Sequence, residues 1–572
     1  MSHYVLGINA SGALMSACIL KDGDIIAACA EERFSRIKRD ASFPHNAIKF
    51  CLNEVGIKFS QLNLISVGWN PAFYMERNTN SIYQALKDKG LYLYYVVNEL
   101  GSADYTDSIS QIEQNLLFKD GSKIPVEYVD HHLAHASYAL NCSGYESALA
   151  VILDGYGEIH TGGIYKINKN NHEIISTAKF PHSIGLFYST ITQYLGFRAN
   201  SDEWKVMALA SMGDSKKYKN KLSEMIKVGD DAYNGMLELD LSYFDYYNFF
   251  TPNYTSDKFI STFGESRKPN EQLEQKHKDL SRALQEVVEE KVIELLSHLN
   301  QKFSSEKNLC LAGGFFMNSV LNGKIRKYTS FNDPFIGAVP DDTGIAIGSA
   351  ILSLRKNNMA KITKQIHNFL GPKFENSDIL KELEISKINF QELENVEVDA
   401  AQQLSEGKII GWFQGRSELG QRALGNRSIL ASPSFDWMKD HINKFIKFRE
   451  EFRPFAPAIL DEKKTEYFEM ESDDEVYFME KVFPFREEVK SKVPAVVHFD
   501  GTGRVQTVTE DSNQRFYKLI KEFFKITNLP ILLNTSFNTN DVPIVNSPRD
   551  AIDTFYRCGI DVLYMNNIKV VK

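Results

Sequence analysis

Short apolar runs separated by turn formers dominate the first half of the chain. Tyr4–Ile8 is apolar and ends in small residues, Ser16–Leu20 follows, and a Lys-Asp-Gly-Asp turn leads into Ile25–Ala30. Runs of this kind bounded by turn residues predict strands, with a hairpin at the turn. The same plan recurs further on. Val151–Leu153 runs into Asp154-Gly155, then Gly162–Ile167, an Asn-Lys-Asn-Asn turn and Glu173–Thr177. The two stretches share a pattern but not a sequence, and predict an internal duplication. A third unit has the strand Leu309–Leu311 ending at Gly313-Gly314 before a helix, and Pro-Asp-Asp-Thr-Gly (340–344) opens another helix.

Hairpins followed by glycine turns and helices predict an α/β fold of the duplicated actin/hexokinase-like ATPase type, in which two like halves close over a nucleotide. A generic α/β protein whose glycines only make tight turns reads the same way. Turn formers thicken between Lys356 and Phe374, so the expected division is residues 1–360 and 370–572. The second part has predicted strands at Lys408–Phe413 and Pro530–Leu533. Tyr243–Ser261, rich in aromatic and polar residues, reads as an irregular insertion in the first part.

Bulk properties narrow the class. The 572 residues are 43% hydrophobic and 24% charged, as in a globular protein with more than one domain. A net charge of −9 disfavours a nucleic-acid surface. The first residues lack the charged and apolar regions of a signal peptide, and no apolar run is long enough to span a bilayer. The six cysteines are scattered without a CxxC pair, which predicts buried thiols. Together these features predict a cytoplasmic location, with no membrane partner.

Four residues form a candidate metal site. His131 and His135 are four apart, so on a helix they share a face, while His132 points about 100° away. Asp154 ends a strand and Asp342 starts a helix; in a duplicated fold both turns face the cleft. Two imidazoles and two carboxylates suit a divalent transition metal such as iron, manganese or zinc. Asp154 also reads as a turn former and Asp342 as a helix cap, with Asp341 the alternative ligand.

Other loops carry candidate anion contacts. Gly313 and Gly314 precede a helix whose N-terminus favours phosphate, and Asn318 follows on that helix within reach of a ribose or phosphate. Lys205 precedes an apolar helix, and Lys38 sits in the charge run Glu31–Arg39 at a strand end. Arg416, Arg422 and Arg427 lie among glycines. Lys447, Arg449, Arg453 and Arg504 follow, and Asn534, Thr535, Ser536 and Asn538 end the last predicted strand run. Dispersed arginine loops in an acidic chain predict one converging anion site. Arg449 is the arginine expected to pair with a neighbouring glutamate, more than Arg422 or Arg453.

Eleven motifs, among them HHLAHA, LDGYGE, LAGGFFMNSVLN, DDTGIAIG, GRSELGQRALGNRSILA, FREEFRPFAP and NTSFN, stand in one order along nearly the whole chain. In this the sequence resembles the O-carbamoyltransferases of the nodulation-protein-U, cephalosporin and nebramycin type. The resemblance implies a YrdC-like C-terminal domain that binds carbamoyl phosphate and ATP with Mg2+ and forms carbamoyl-adenylate. Arg422, Lys447, Arg453, Arg504 and Ser536 would be its catalytic positions, with Lys38, Lys205, Arg416, Asn534, Thr535 and the Gly313–Asn318 loop binding nucleotide. It implies an N-terminal domain like the threonylcarbamoyl-tRNA transferase subunit, holding Fe2+ at His131, His135, Asp154 and Asp342 and passing carbamoyl to a small-molecule hydroxyl, a natural product or sugar. A homodimer is compatible with it. The sequence departs from the pattern at Ser11–Ala17, which lacks the family's His-Asp pair, and at Ala208, Gln421 and Val542. A tRNA-threonylcarbamoylating enzyme and a nucleotide-binding homologue without transfer activity remain as alternatives.

Overall fold

The structure, a computed structural model, describes residues 2–10, 12, 14–71, 113–229, 236–248 and 251–572. Ser11 and Ala13 of the Ser11–Ala17 turn lie outside them. The chain forms two compact units. One comprises Met1–Ile26, Cys51–Asn318 and Lys324–Lys364; the other comprises Ala27–Phe50, Ser319–Gly323 and Gln365–Lys572.

The first unit is built on two mixed sheets. Strands β1 (Tyr4–Asn9), β2 (Ser16–Lys21), β3 (Asp24–Ala30), β4 (Leu64–Val67), β5 (Glu113–Leu117) and β6 (Lys123–Tyr128) run in the order β3-β2-β1-β4-β6-β5, the chain passing into the second unit within β3. Strands β7 (Ser147–Leu153), β8 (His160–Asn168) and β9 (His172–Lys179) are followed by a small hairpin, β10 (Ile226–Val228) and β11 (Leu237–Leu239), and by β12 (Leu309–Ala312) and β13 (Phe335–Ile336). The second sheet runs β13-β12-β7-β8-β9. In each sheet the first strand pairs antiparallel with the second and parallel with a later one, β1 with β2 and β4, β7 with β8 and β12. The expected duplication is therefore visible in strand order and sense.

Helices fill the space beside these sheets. Helix α1 (His131–Ser143) is buried along its whole length and packs on β7, β8 and β12. Helix α2 (Gln275–Lys302) buries one stripe, Leu280, Leu284, Val288, Leu295 and Leu299 among it. Helix α3 (Ile345–Arg355) packs on β1, β2 and β4 and against α1. Two glycines permit that closeness. A Cβ on Gly7 would lie 1.8 Å from the Ala346 carbonyl oxygen, and one on Gly348 would lie 2.1 Å from that of Ala134. The Tyr243–Ser261 stretch is more ordered than expected. A 3-10 turn at Leu241–Tyr243, a bridge between Phe244 and Thr255 and a helix Asp257–Phe263 organise it, with Phe244 and Phe259 fully buried. Phe249 and Phe250 lie outside the described residues.

The second unit is one eight-stranded sheet. Its strands are β14 (Gln391–Glu392), β15 (Ile410–Phe413), β16 (Arg427–Ala431), β17 (Ala456–Leu460), β20 (Gln506–Val508), β21 (Ile531–Ser536), β22 (Val562–Met565) and β23 (Ile568–Val571), in the order β14-β23-β22-β15-β16-β21-β17-β20. A separate pair is β18 (Val482–Pro484) with β19 (Thr502–Arg504). Both faces are covered, so the strands are apolar on both sides. Trp412 and Leu430 face helices α4 (Val396–Ser405) and α5 (Gln514–Thr527), with Leu404, Phe516 and Phe523. Phe413 and Ile429, one residue out of phase, face the other core with Ile442, Phe468 and, from helix α6 (Pro548–Arg557), Phe555. All six cysteines are free and buried. Among the described residues no helix is long and apolar enough to cross a membrane.

Candidate functional site

The first unit gathers the four predicted metal-ligand residues at one point. Asp130 caps α1 by accepting from the Leu133 N–H (2.6 Å), which starts the helix at His131. His131 and His135 then project from one face. His131 Nε2 lies 3.2 Å from Asp154 Oδ2 and 3.6 Å from Asp342 Oδ1; His135 Nε2 lies 3.4 and 3.6 Å from the same atoms. One ligand atom from each residue falls within 4.8 Å of all the others.

The surroundings orient these atoms. His131 Nδ1 sits 3.3 Å from the Gly68 carbonyl oxygen, which accepts its N–H and so turns Nε2 toward the carboxylates. Asp154 accepts two backbone N–H bonds on Oδ1, from Gly155 (2.8 Å) and Gly314 (3.0 Å), so Oδ2 is left to the cluster. The choice between Asp341 and Asp342 is resolved by geometry. Asp341 is the cap, accepting from the Thr343 N–H at 3.0 Å, and Asp342 faces the histidines.

Charge explains why these groups suit a cation. Burial pushes the His131 imidazole down, but hydrogen bonds to Asp154 and Asp342 outweigh it and hold it well above its ordinary value. Burial pushes Asp154 up, and His131 and His135 bring it well below. Alone, the cluster needs protons to balance the Asp154 and Asp342 carboxylates; a divalent ion supplies that balance directly, and the two-nitrogen, two-oxygen donor set matches it. His132 is also buried, edge-on to His131 with centroids 5.3 Å apart, and neither ring nitrogen has a hydrogen-bond partner among the described residues. Burial and then His131 push it well below its ordinary value, so it is neutral.

Two neighbours escaped the sequence reading. Glu158 is fully buried and accepts from the N–H groups of Asn70 (2.6 Å) and His131 (3.1 Å); burial, then Asp130, raises it to about 8. Tyr156 lies on the Asp154 turn and is partly open to solvent. Both belong to the LDGYGE motif, and their spacing from Asp154 was the available signal.

The predicted nucleotide contacts of this unit have structural partners. Gly313, at φ 95°, passes so close to β7 that a Cβ would lie 2.1 Å from the Leu153 carbonyl oxygen. Gly314 orients Asp154. Asn318 exchanges hydrogen bonds with Gln285 (3.0 and 3.1 Å), and Lys205 lies 3.4 Å from Asp202 and over the rings of Phe197 and Trp204.

In the second unit the basic residues converge. Lys447 ends a π-helical turn, Asn443–Lys447, and donates to the Ser536 carbonyl oxygen, to Ser536 Oγ (3.2 Å) and to the Asn538 carbonyl (3.0 Å) and side-chain (2.8 Å) oxygens. Burial pushes Lys447 well down, and Arg449, Arg453 and Lys38 add to that. Burial, then Arg422, pushes Arg504 down to about 9. Arg422 donates to the Phe478 carbonyl at 2.9 Å. Asn534 donates to Gln506 (2.8 Å), while its own Oδ1 is buried without a partner among the described residues; Thr535 of β21 stands opposite Ile429 of β16. Arg416 ties down backbone, donating to the carbonyls of Leu370 (2.7 Å) and Gly371 (3.0 Å). The glutamate pair falls on a different arginine than expected. Glu450 meets Arg453 at 3.1 Å, while Arg449 donates to Asn443 (2.7 Å) and covers the Phe455 ring. A buried cluster of like charge is stable only when an anion or a compensating acceptor is close.

Residues 5–351 match the family model described as carbamoyltransferase N-terminus, and residues 401–572 match carbamoyltransferase C-terminus. A Synechocystis protein described as uncharacterized is 34% identical over 606 aligned residues, covering 100% of this chain and 97% of its own length. The nodulation protein NolNO of Sinorhizobium fredii is 34% identical over 571 residues, covering 97% of this chain and 78% of its own. Among solved structures, the activator of 2-hydroxyisocaproyl-CoA dehydratase from Clostridium difficile aligns with a TM-score of 0.32 at 13% identity, over 62% of this chain and 96% of that one.

Proposed function

The chain belongs to the carbamoyltransferase family and is a carbamoyltransferase, and from that premise we propose that it works in two stages, activating carbamoyl phosphate with ATP and then passing carbamoyl to a small-molecule hydroxyl. In this reading the YrdC-like domain, residues 370–572, makes carbamoyl-adenylate. Carbamoyl phosphate, ATP and a water yield carbamoyl-AMP, pyrophosphate and inorganic phosphate. Arg422, Lys447, Arg453 and Arg504 bind the phosphates, bringing Mg2+-ATP and carbamoyl phosphate together, and Ser536 orients the Lys447 ammonium beside them. The domain of residues 1–360 holds the adenylate near His131, His135, Asp154 and Asp342.

The donor set fits a divalent ion, Fe2+ on the family resemblance, which when bound polarises a carbonyl or steadies the departing phosphate. Around it, the Gly68 carbonyl keeps His131 in one tautomer, and the Gly155 and Gly314 N–H groups hold Asp154. The observation that carries the reading is the presence of two chemically different centres, a His/Asp cluster and a buried cationic cluster, in a chain of this family.

The test is carbamoyl-phosphate-dependent formation of AMP from ATP. It is expected in the purified protein, lost in Arg453→Ala and retained in His131→Ala, which still fails to carbamoylate any acceptor. No such AMP in the unaltered protein would sink the proposal, and loss of both activities in His131→Ala would contradict the division of labour.

A further inference from the structure

We infer that Glu480 is a positioning residue of the anion site: its buried carboxylate shapes the Phe478–Glu480 turn, and the Phe478 carbonyl in turn aims Arg422. This deepens the function proposed above and rests on it for the phosphate-binding role of Arg422.

The relay has two bonds. Arg422 Nη1 donates to the Phe478 carbonyl oxygen at 2.9 Å, and the Phe478 N–H donates to Glu480 Oε2 at 2.8 Å. Met479, between them, holds φ at 57°, a left-handed conformation that costs energy in a residue with a Cβ. The flanks of the turn are pinned to strand β20 and the residue before it. Val476 accepts from the Thr507 N–H (2.7 Å) and Lys481 from the Val505 N–H (3.3 Å). The Glu480 carbonyl accepts from Asn322 Nδ2 at 2.9 Å. Gly323 brings that segment close, since a Cβ there would lie 2.0 Å from the Val482 carbonyl oxygen. With the flanks fixed, what remains to be set is the backbone at Phe478. The carboxylate sets it by holding the N–H of the residue whose carbonyl faces Arg422.

The turn is costly for its size. Glu480 is 3% exposed, and burial lifts its carboxyl to about 7 against the pull of Lys481 and Arg422. A turn that needed only shape would be served by Gly or Asn at the left-handed position, with no carboxylate taken out of water. Lys481 is buried beside it, and balancing that ammonium would explain the charge of Glu480. It would not explain the bond to the Phe478 N–H. Position and charge therefore make opposite demands on the side chain. Asp keeps the charge, but its arm is one methylene shorter and its oxygens fall short of Phe478. Gln keeps the reach and an acceptor oxygen, and loses the charge.

Calorimetric titration of the full chain with phosphonoacetamide, a carbamoyl phosphate analogue with a methylene in place of the bridging oxygen, tests this. Glu480→Asp should weaken binding about tenfold, the size of one charge-assisted hydrogen bond. Glu480→Gln should restore it to within about twofold of the unaltered protein. In an Arg422→Ala background Glu480→Asp should cause no further loss, because the effect passes through Arg422. Weak binding in Glu480→Gln with normal binding in Glu480→Asp would assign the carboxylate to Lys481 and overturn the inference. So would a loss in Glu480→Asp that is equal with and without Arg422, the mark of a general packing role. Either result leaves the proposed function standing. Failure of the unaltered protein to bind phosphonoacetamide would remove the anion role of Arg422, and the inference with it.

Discussion

Asp154 divides its work between two oxygens. Oδ1 is held by two backbone N–H groups and Oδ2 is offered to the histidines, so the loop that orients the carboxylate also leaves it able to ligate. Lys447 is the matching case in the second unit. Its ammonium is buried among arginines and sits below the ordinary lysine value of 10.5. A depressed pKa means that the folded protein binds this proton less tightly than the unfolded chain does, which costs stability as pH falls from 10.5 through the lowered value. A bound anion reverses the balance. Carbamoyl phosphate binding should therefore draw in a proton at pH values between the lowered pKa and 10.5, and weaken as pH rises through that window. Calorimetry in buffers of different ionisation enthalpy should show this uptake, diminished in Lys447→Met; buffer-independent heats would refute it. At this scale the four His and Asp positions were legible, because helical spacing and turn position are local facts. Which of Asp341 and Asp342 caps its helix was not, since both fit the N-cap pattern and only the tertiary position of α1 separates them. The partner of Arg449 was misread for a similar reason. Adjacent glutamates were visible in sequence, while the Phe455 ring and the Asn443 side chain are brought there by the turn before Lys447.

The loop between β15 and β16 shows how an element gains its shape from one buried group. Glu418 is fully buried, and its Oε1 accepts from the N–H groups of Leu424 (2.8 Å), Asn426 (2.9 Å) and Arg427 (3.2 Å). That nest folds the glycine-rich segment around Arg422. Arg427 lies close enough for the Glu418 charge to raise it against burial, which leaves it at about 9. Glu418→Gln keeps the shape but removes the charge that balances Arg427. It should lower stability in denaturant unfolding, because the buried Arg427 guanidinium loses a nearby opposite charge, and disturb Arg422 enough to abolish AMP formation. Unchanged stability would show that Arg427 finds its balance elsewhere. The strands themselves were easy to find, because apolar runs between turns need no tertiary information. β7 proved longer than the predicted Val151–Leu153, starting at Ser147, and the order within the Tyr243–Ser261 stretch was hidden because its rings pack onto distant residues such as Phe187.

Across the whole molecule the chain does not divide at a single point. Ala27–Phe50 counts with the second compact unit, and its contribution there is specific. Arg33, 1% exposed, donates to the carbonyls of Glu418 (3.3 Å) and Gly420, and Arg36 donates to those of Pro543 (2.9 Å) and Ile544 (2.6 Å). A fragment of residues 365–572 should therefore lack a native near-ultraviolet circular dichroism signal and resist refolding, and supplying residues 27–50 in the same chain should restore it. A fully native spectrum from the shorter fragment would contradict this. Sequence composition placed a boundary near residue 360 but gave no sign of this interleaving, because Glu31–Arg39 reads as an ordinary charge run when its distant carbonyl partners are unseen. The interleaving also sets an order in time. During synthesis Ala27–Phe50 leaves the ribosome before the residues it will join, which begin at Gln365. At ordinary elongation rates the wait is roughly 15–60 s. For that interval the guanidinium groups of Arg33 and Arg36 wait for the carbonyls they donate to, and chaperone engagement on the nascent chain belongs to that interval.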